Sequence, residues 1–337
     1  MSDDIVLDKI NKLYSTKILP EKYKNIILNF YLSYKNETQN IVPIEKVYFT
    51  FITLIDLMVE QFKSPYIFDY FNKKVTTPFD FYSFGKNFIR PLVDFEKSTI
   101  FNLENLKKIK NYLEKNENVI LLSNHQSEID PHAISLLLEK DFEDIASKMI
   151  YVAGERVIQD PLAIPFSMGC NLLCIFSKRY IDIDQKLQHQ KLLHNKKVMS
   201  YMSELLSEGG KIIYVAPSGG RDRKNQNNEV EVAPFDPQSV EMLNLMSKKS
   251  KKPTHFFLLT LATYDIAPPP EKVQKEMGEN RSVRRCAIFL SFSSEVEMEN
   301  ITDSITDKHE KRKVRAKYLH NIVKKEYKKI ASRMSSI

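Results

Sequence analysis

His125 and Asp130 stand five residues apart in VILLSNHQSEIDPHA, residues 119–133, directly after a short apolar run. A histidine beside an aspartate can serve as a general base. The carboxylate accepts a hydrogen bond from the near imidazole nitrogen, fixes the tautomer and leaves the far nitrogen to take a proton. The same residues also have a plain structural reading. Asp before Pro is a helix start in which the carboxylate caps free N–H groups and Pro131 takes the first helical position. His125 is then a polar loop residue. Ser123 and Ser127 are close, but neither sits in a nucleophile-elbow motif. A base at His125 would therefore act on a hydroxyl that belongs to a substrate.

A second group lies in KIIYVAPSGGRDR, residues 211–223. An apolar run ends at Pro217 and passes into Ser218, Gly219, Gly220, Arg221 and Arg223. Glycines let backbone N–H groups turn toward a ligand. Two arginines add planar forks suited to phosphate. The GxxxxGK[ST] spacing of a nucleotide P-loop is absent, and an exposed turn with solvated arginines is the structural alternative. Lys178 and Arg179, in IFSKRYID, again put basic residues after an apolar run. GERVIQDPLAIPFSMG, residues 154–169, reads as a proline-bent apolar surface, either the wall of a slot or ordinary core.

These groups need elements to hold them. NVILLS (118–123), KMIYVAG (148–154), NLLCIFS (171–177) and KIIYVAP (211–217) read as buried strands, and HFFLLTLATYD and RCAIFLSF as two more. Helical patterns such as PHAISLLLEKDF and QKLQHQKLLHNKKVMSYMSELLSEG alternate with them. That order predicts an α/β domain with a mixed, largely parallel sheet flanked by helices. Sites in such sheets gather beyond the carboxyl ends of the strands, where the residues above fall. Before it, apolar residues recur at three and four in LDKINKLYSTKI, EKYKNIILNFYLSYKN and IEKVYFTFITLIDLMVEQFK. The expected organisation is a helical bundle over 1–80 and an α/β domain over 81–337. VTTPFDFYSFGKNFIRPLVD reads as a connector, and KNQNNEVEV (224–232) as an exposed loop.

The totals bound the function. The chain has 337 residues, 42% hydrophobic and 28% charged, which suits roughly two globular domains. No apolar run approaches the roughly 18 residues of a membrane span. MSDDIVLDKINKLYS resembles neither a signal nor a transit peptide, so any targeting segment is expected to have been removed. Three cysteines, Cys170, Cys174 and Cys286, argue against a disulfide framework, and the first two lack a second pair or a histidine at zinc-like spacing. Buried thiols and no metal are expected. The net charge of +7 is concentrated in SKKSKK (247–252) and KHEKRKVRAKYLHNIVKKEYKKI, and favours acidic partners. No nucleic-acid-binding motif is present.

NHQSEIDP resembles the H-x4-D motif of glycerolipid acyltransferases. With GERV, SKR, APSGGRDR and VAPFDP (232–237) following in order, residues 90–300 are similar to the soluble, plastid-type glycerol-3-phosphate 1-O-acyltransferases. The helical region before them matches as well. The resemblance implies acyl transfer from acyl carrier protein, or from coenzyme A, to the sn-1 hydroxyl of glycerol 3-phosphate, giving lysophosphatidic acid without a metal or redox cofactor. It implies that His125 is the base, that Asp130 orients it, and that Lys178, Arg179, Arg221 and Arg223 grip phosphate. Ser218, Gly219, Gly220, Gly154, Glu155 and Phe176 would shape the substrate slot. Tyr180 stands where the family usually has histidine. A monomer in a plastid stroma is expected, with a bacterial cytoplasm as the other location, peripheral membrane contact left open, and the basic C-terminal run as a docking surface for the acidic carrier protein. Two other readings remain: a different phosphorylated acceptor, or a phosphate- or phospholipid-binding module without chemistry.

Overall fold

The computed structural model describes residues 4–177, 185–271 and 277–334. The helical spacing of the first third becomes three helices: α1 (Ile5–Ser15), α2 (Glu21–Thr38) and α3 (Ile44–Lys63). Pro20 and Pro43 immediately precede α2 and α3, where a missing N–H costs nothing. Asp4 caps α1 by accepting from Val6 N and Leu7 N, and it is also held by Tyr31 Oη at 2.6 Å and Lys35 Nζ at 2.7 Å. Phe51 of α3 centres the packing. The rings of Phe30, Tyr31, Tyr34 and Phe88 surround it at 5.1–5.6 Å between centroids.

Residues 75–94 are more than the connector that the sequence suggests. They contain α4 (Phe81–Ile89), capped by Asp80. Two prolines and Gly85 hide this helix from periodicity, and packing explains the glycine. A Cβ at Gly85 would lie 2.3 Å from the His132 ring, so only glycine lets α4 approach this closely. His132 belongs to α6 (Asp130–Ala146) and is buried, its Nδ1 without a partner.

Burial pushes the His132 pKa down to about 4, from an ordinary 6.5. The unfolded chain therefore binds a proton that the fold refuses. Stability is fully present above pH 6.5 and falls with acidification, by about 2 kcal/mol at pH 5 at 1.36 kcal/mol per pKa unit. Urea unfolding at pH 7.5 and pH 5 checks this. His132→Gln should remove most of the difference, and a variant with the wild-type slope would sink the assignment.

The α/β part is built on the strands β1 (Phe71–Asn72), β2 (Thr99–Phe101), β3 (Asn118–Ser123), β4 (Ile150–Gly154), β5 (Asn171–Ile175), β6 (Ile212–Val215), β9 (Thr254–Ala262) and β10 (Phe289–Phe292). They form one eight-stranded sheet in the order β1-β5-β4-β6-β3-β9-β10-β2. The run β5-β4-β6-β3-β9 is parallel, whereas β1 on β5 and β10 on β9 are antiparallel, so the sheet is mixed as expected. β3 is wholly buried, because helices cover both faces. α5 (Leu103–Glu114) and α6 pack on one face, against Val119, Leu121 and Tyr151. On the other face, α8 (Gln185–Glu208), α9 (Pro237–Lys249) and α10 (Lys308–Met334) pack against Ile120, Leu122 and Ile213.

The expected strands all form: NVILLS over its full length, HFFLLTLATYD from Thr254 to Ala262, and the other four shortened. The short strands β1 and β2 were too brief to read. The polar stretch 224–232 holds a two-residue hairpin, β7 (Arg223–Lys224) with β8 (Val230–Glu231). After β4, the proline-bent stretch 154–169 holds the four-residue helix α7 (Ile164–Ser167). The basic C-terminal run is amphipathic: Ala316, Leu319, Val323, Tyr327 and Ile330 are buried at helical spacing, while Lys313, Lys317, Lys325 and Lys328 stay exposed. Cys170 and Cys174 are buried free thiols, each pushed up to about 12 by burial. No described helix is long and apolar enough to cross a membrane.

Candidate active site

β3 ends at Ser123, and the chain then turns through residues 124–129 into α6. In this turn His125 Nδ1 and Asp130 Oδ2 are 2.8 Å apart. The Asp130 carboxylate is inaccessible to solvent and also accepts from Gln126 N at 2.8 Å, Ser127 N at 3.1 Å and Thr263 Oγ1 at 2.7 Å. An acceptor so fully supplied is a carboxylate, and the proton of the shared bond sits on His125 Nδ1. Nε2 then carries the lone pair. His125 keeps 29% of its side chain exposed, so this nitrogen lies on an open ring.

The cap reading of Asp130 needs correction. Asp130 is the first residue of α6, and Ile129 is its N-cap without a side-chain bond. The carboxylate accepts from Gln126 N and Ser127 N, which lie upstream of the helix. Its work is to fold the His125 turn onto itself, and Thr263, just past β9, fastens it from the neighbouring strand.

The strand β6 delivers the second group. Ser218 Oγ donates to Gly220 O at 2.8 Å, and Gly219 has φ +62, a conformation that favours glycine. Arg221 is largely buried. Its Nη2 meets Glu279 Oε2 at 2.5 Å and its Nη1 meets Glu128 Oε1 at 3.5 Å. Arg223 Nη1 turns back to the carbonyls of Arg221 and Asp222 at 3.4 Å. Lys178 and Arg179 lie outside the described residues, as does Tyr180.

The arginine at 221 belongs to a buried ion network that the sequence does not announce. Arg156 Nη2 holds Glu279 Oε1 at 3.1 Å. Arg281 Nη2 bridges Glu128 Oε2 at 2.9 Å and Asp160 Oδ2 at 3.1 Å. Tyr23 of α2 reaches Asp160 at 3.5 Å. Burial opposes ionisation of Glu128, but Arg281 and Arg221 outweigh it and hold its carboxyl below the usual range. Only the charges at Arg156, just before the largely apolar stretch 157–169, and at Asp160, within it, could have signalled this. Their partners lie more than a hundred residues away.

A third set lies at the ends of β4 and β5. Gly154 is exposed and its Cβ position is open. Glu155 is buried, 3.7 Å from Lys191 Nζ. Phe176 is pinned by Asn195, which accepts from its N at 2.8 Å and donates to its O at 2.9 Å, and its ring meets His194 at 4.9 Å. These residues share the carboxyl rim of the sheet with His125 and Arg221. Their contacts run to α8, whereas those of Arg221 run to the His125 turn through Glu128.

Behind His125 lies a lattice of buried polar groups, also unannounced. Asp222 N donates to His125 O at 2.6 Å. The Asp222 carboxylate accepts from Asn124 Nδ2 at 2.8 Å, Gln126 Nε2 at 3.1 Å and Ala233 N at 2.9 Å. Burial pushes its pKa up to about 6, against the pull of these donors. Among the described residues, no His, Cys, Asp and Glu group has the geometry to hold a metal ion.

Comparison with known proteins identifies the family. A family model described as Acyltransferase matches residues 100–255, which contain the His125 turn and the arginine loop. The chain is 37% identical to the glycerol-3-phosphate acyltransferase ATS12, chloroplastic, of Cucurbita moschata over 338 residues, covering 99% of this chain and 73% of that protein. It is 37% identical to the chloroplastic glycerol-3-phosphate acyltransferase of Pisum sativum, over 96% of this chain and 71% of the relative. The corresponding protein of Arabidopsis thaliana is 38% identical over 90% of this chain and 65% of its own length. At this identity over nearly the whole chain, this protein belongs to the glycerol-3-phosphate acyltransferase family.

Proposed function

We propose that this enzyme transfers an acyl group from a thioester to the sn-1 hydroxyl of glycerol 3-phosphate, releasing lysophosphatidic acid and a free thiol. The observation that carries the reading is the His125 Nδ1–Asp130 Oδ2 pair at 2.8 Å, on a half-open turn tied to the arginine loop. His125 Nε2 takes the hydroxyl proton as the oxygen attacks the thioester carbon. The C–O bond forms, the C–S bond breaks, and the proton passes to the departing thiolate. No acyl-enzyme forms, and no metal or redox cofactor takes part.

Arg221 and Arg223 bind the acceptor phosphate, with Lys178 and Arg179 joining them. Arg221 is pre-oriented by Glu279 and Glu128, so a phosphate dianion competes with carboxylates already there. This arrangement favours an acceptor with two charges over one with a single charge, because it must outbid them. The donor is acyl carrier protein or coenzyme A. The exposed lysines of α10 suit an acidic carrier. Relatives named chloroplastic support work in a plastid, where the enzyme acts as a monomer.

The test is an acyl-transfer assay with acyl-carrier thioester, acyl-coenzyme A and labelled glycerol 3-phosphate. Labelled lysophosphatidic acid is the expected product. A folded protein that makes none, across donors and chain lengths, would overturn the reading.

A further inference from the structure

Asp222 sits between Arg221 and Arg223 in sequence, yet its side chain serves neither. It is fully buried and faces the residues on either side of His125. We propose that Asp222 is a positioning residue: its carboxylate fixes the His125 turn to the arginine loop, and so sets the separation between the base and the site of the acceptor's phosphate. The proposal rests on the functional reading above.

The hydrogen bonds leave the carboxylate no freedom of role. Asn124 cannot flip, because its Oδ1 accepts from Leu261 N at 2.8 Å and its Nδ2 donates to Leu261 O at 3.0 Å. Gln126 cannot flip either, because its Oε1 accepts from Thr263 N at 2.7 Å and Tyr264 N at 2.9 Å. Both amides therefore present N–H groups to Asp222 Oδ2, and Ala233 N presents a third to Oδ1. Asp222 must accept at every contact. An asparagine in its place would turn an NH2 against donors on one side or the other.

The main chain completes the tie. Asp222 N donates to the carbonyl of His125 itself at 2.6 Å. One residue thus grips the base's own peptide and both of its neighbours, while its sequence neighbours supply the cations. Glycerol 3-phosphate is short, and its phosphate and its reacting hydroxyl must meet two protein groups at once. A rigid separation converts phosphate binding into orientation of the hydroxyl, so that binding energy appears in turnover. Without the tie, the phosphate would still bind but would no longer aim the hydroxyl.

The test compares Asp222→Asn with wild type on glycerol 3-phosphate and on glycerol, which lacks the phosphate, with melting followed alongside. The variant's kcat on glycerol 3-phosphate should fall on the order of a hundredfold with its KM little changed. The preference for glycerol 3-phosphate over glycerol, in kcat/KM, should shrink by about tenfold. A folded variant that loses equally on both acceptors, or on neither, overturns the proposal, since mere support of the fold would not distinguish them. If Asp222→Asn does not fold, Gln126→Met removes one donor instead. It should narrow the preference in the same direction, and an unchanged preference overturns the proposal. A wild type inactive on glycerol 3-phosphate would overturn the functional reading instead.

Discussion

His125→Ala should cut acyl transfer to a small residual rate while leaving the fold intact. A positioned base contributes roughly a hundred- to ten-thousand-fold, and the residual rate should fall in proportion. The fold should survive because of where the bonds lie. Asp130, relieved of the imidazole, still accepts from Gln126 N, Ser127 N and Thr263 Oγ1. No buried donor is left orphaned, and the ring removed was partly exposed. Melting temperature should therefore move little, and steady-state kinetics should show the loss in kcat. Added imidazole should restore part of the rate, since the hole left behind opens to solvent. A folded His125→Ala protein with wild-type turnover would remove His125 from the mechanism.

Asp130→Ala should be worse in a different way, losing both activity and stability. A helix cap would cost about 1 kcal/mol. The observed carboxylate does more, because two backbone N–H groups and the Thr263 hydroxyl depend on it inside the protein. Leaving buried donors unmet costs about 1–3 kcal/mol each, so the expected destabilisation is about 3 kcal/mol or more. Urea unfolding measures this, and a loss near 1 kcal/mol, about that of a cap, would restore the cap reading. Asp130→Asn separates the two effects. Its NH2, in the place of Oδ2, faces His125 Nδ1 and leaves Gln126 N without an acceptor, while its oxygen still serves Ser127 N and the Thr263 hydroxyl. That forces the imidazole proton onto Nε2, where a base needs a lone pair. Activity should fall as far as in His125→Ala, with less stability lost.

The sheet was legible because its strands are buried on both faces and read as unbroken apolar runs, as in NVILLS and KIIYVAP. The His125 turn and the arginine loop were legible because strand ends in a parallel sheet collect functional residues. α4 was not, since Pro78 and Pro91 flank it closely and Gly85 breaks its periodicity for a reason found only in α6. The ion network was not legible either. Arg156, Arg281 and Glu279 are ordinary charged residues until the chain folds, and nothing local states that they pair. Asp222 was hidden by its neighbours: between two arginines it reads as charge balance, whereas its carboxylate points toward the base.

The apolar cluster that holds α1, α2 and α3 has a consequence for biosynthesis. Val6, Ile27, Phe30 and Phe51 share that cluster with Ala133, Leu162, Ile266, Val283 and Ile288. The ribosome makes the first set early and the last residues of the second set only when most of the chain has been translated. Until then the emerging helices can pair with one another but cannot close their contacts. They must wait with aromatic surface uncovered, the condition in which long-range topologies fold slowly and nascent chains associate wrongly. Chaperone occupancy of the nascent protein should therefore persist until residues 283–288 leave the exit tunnel.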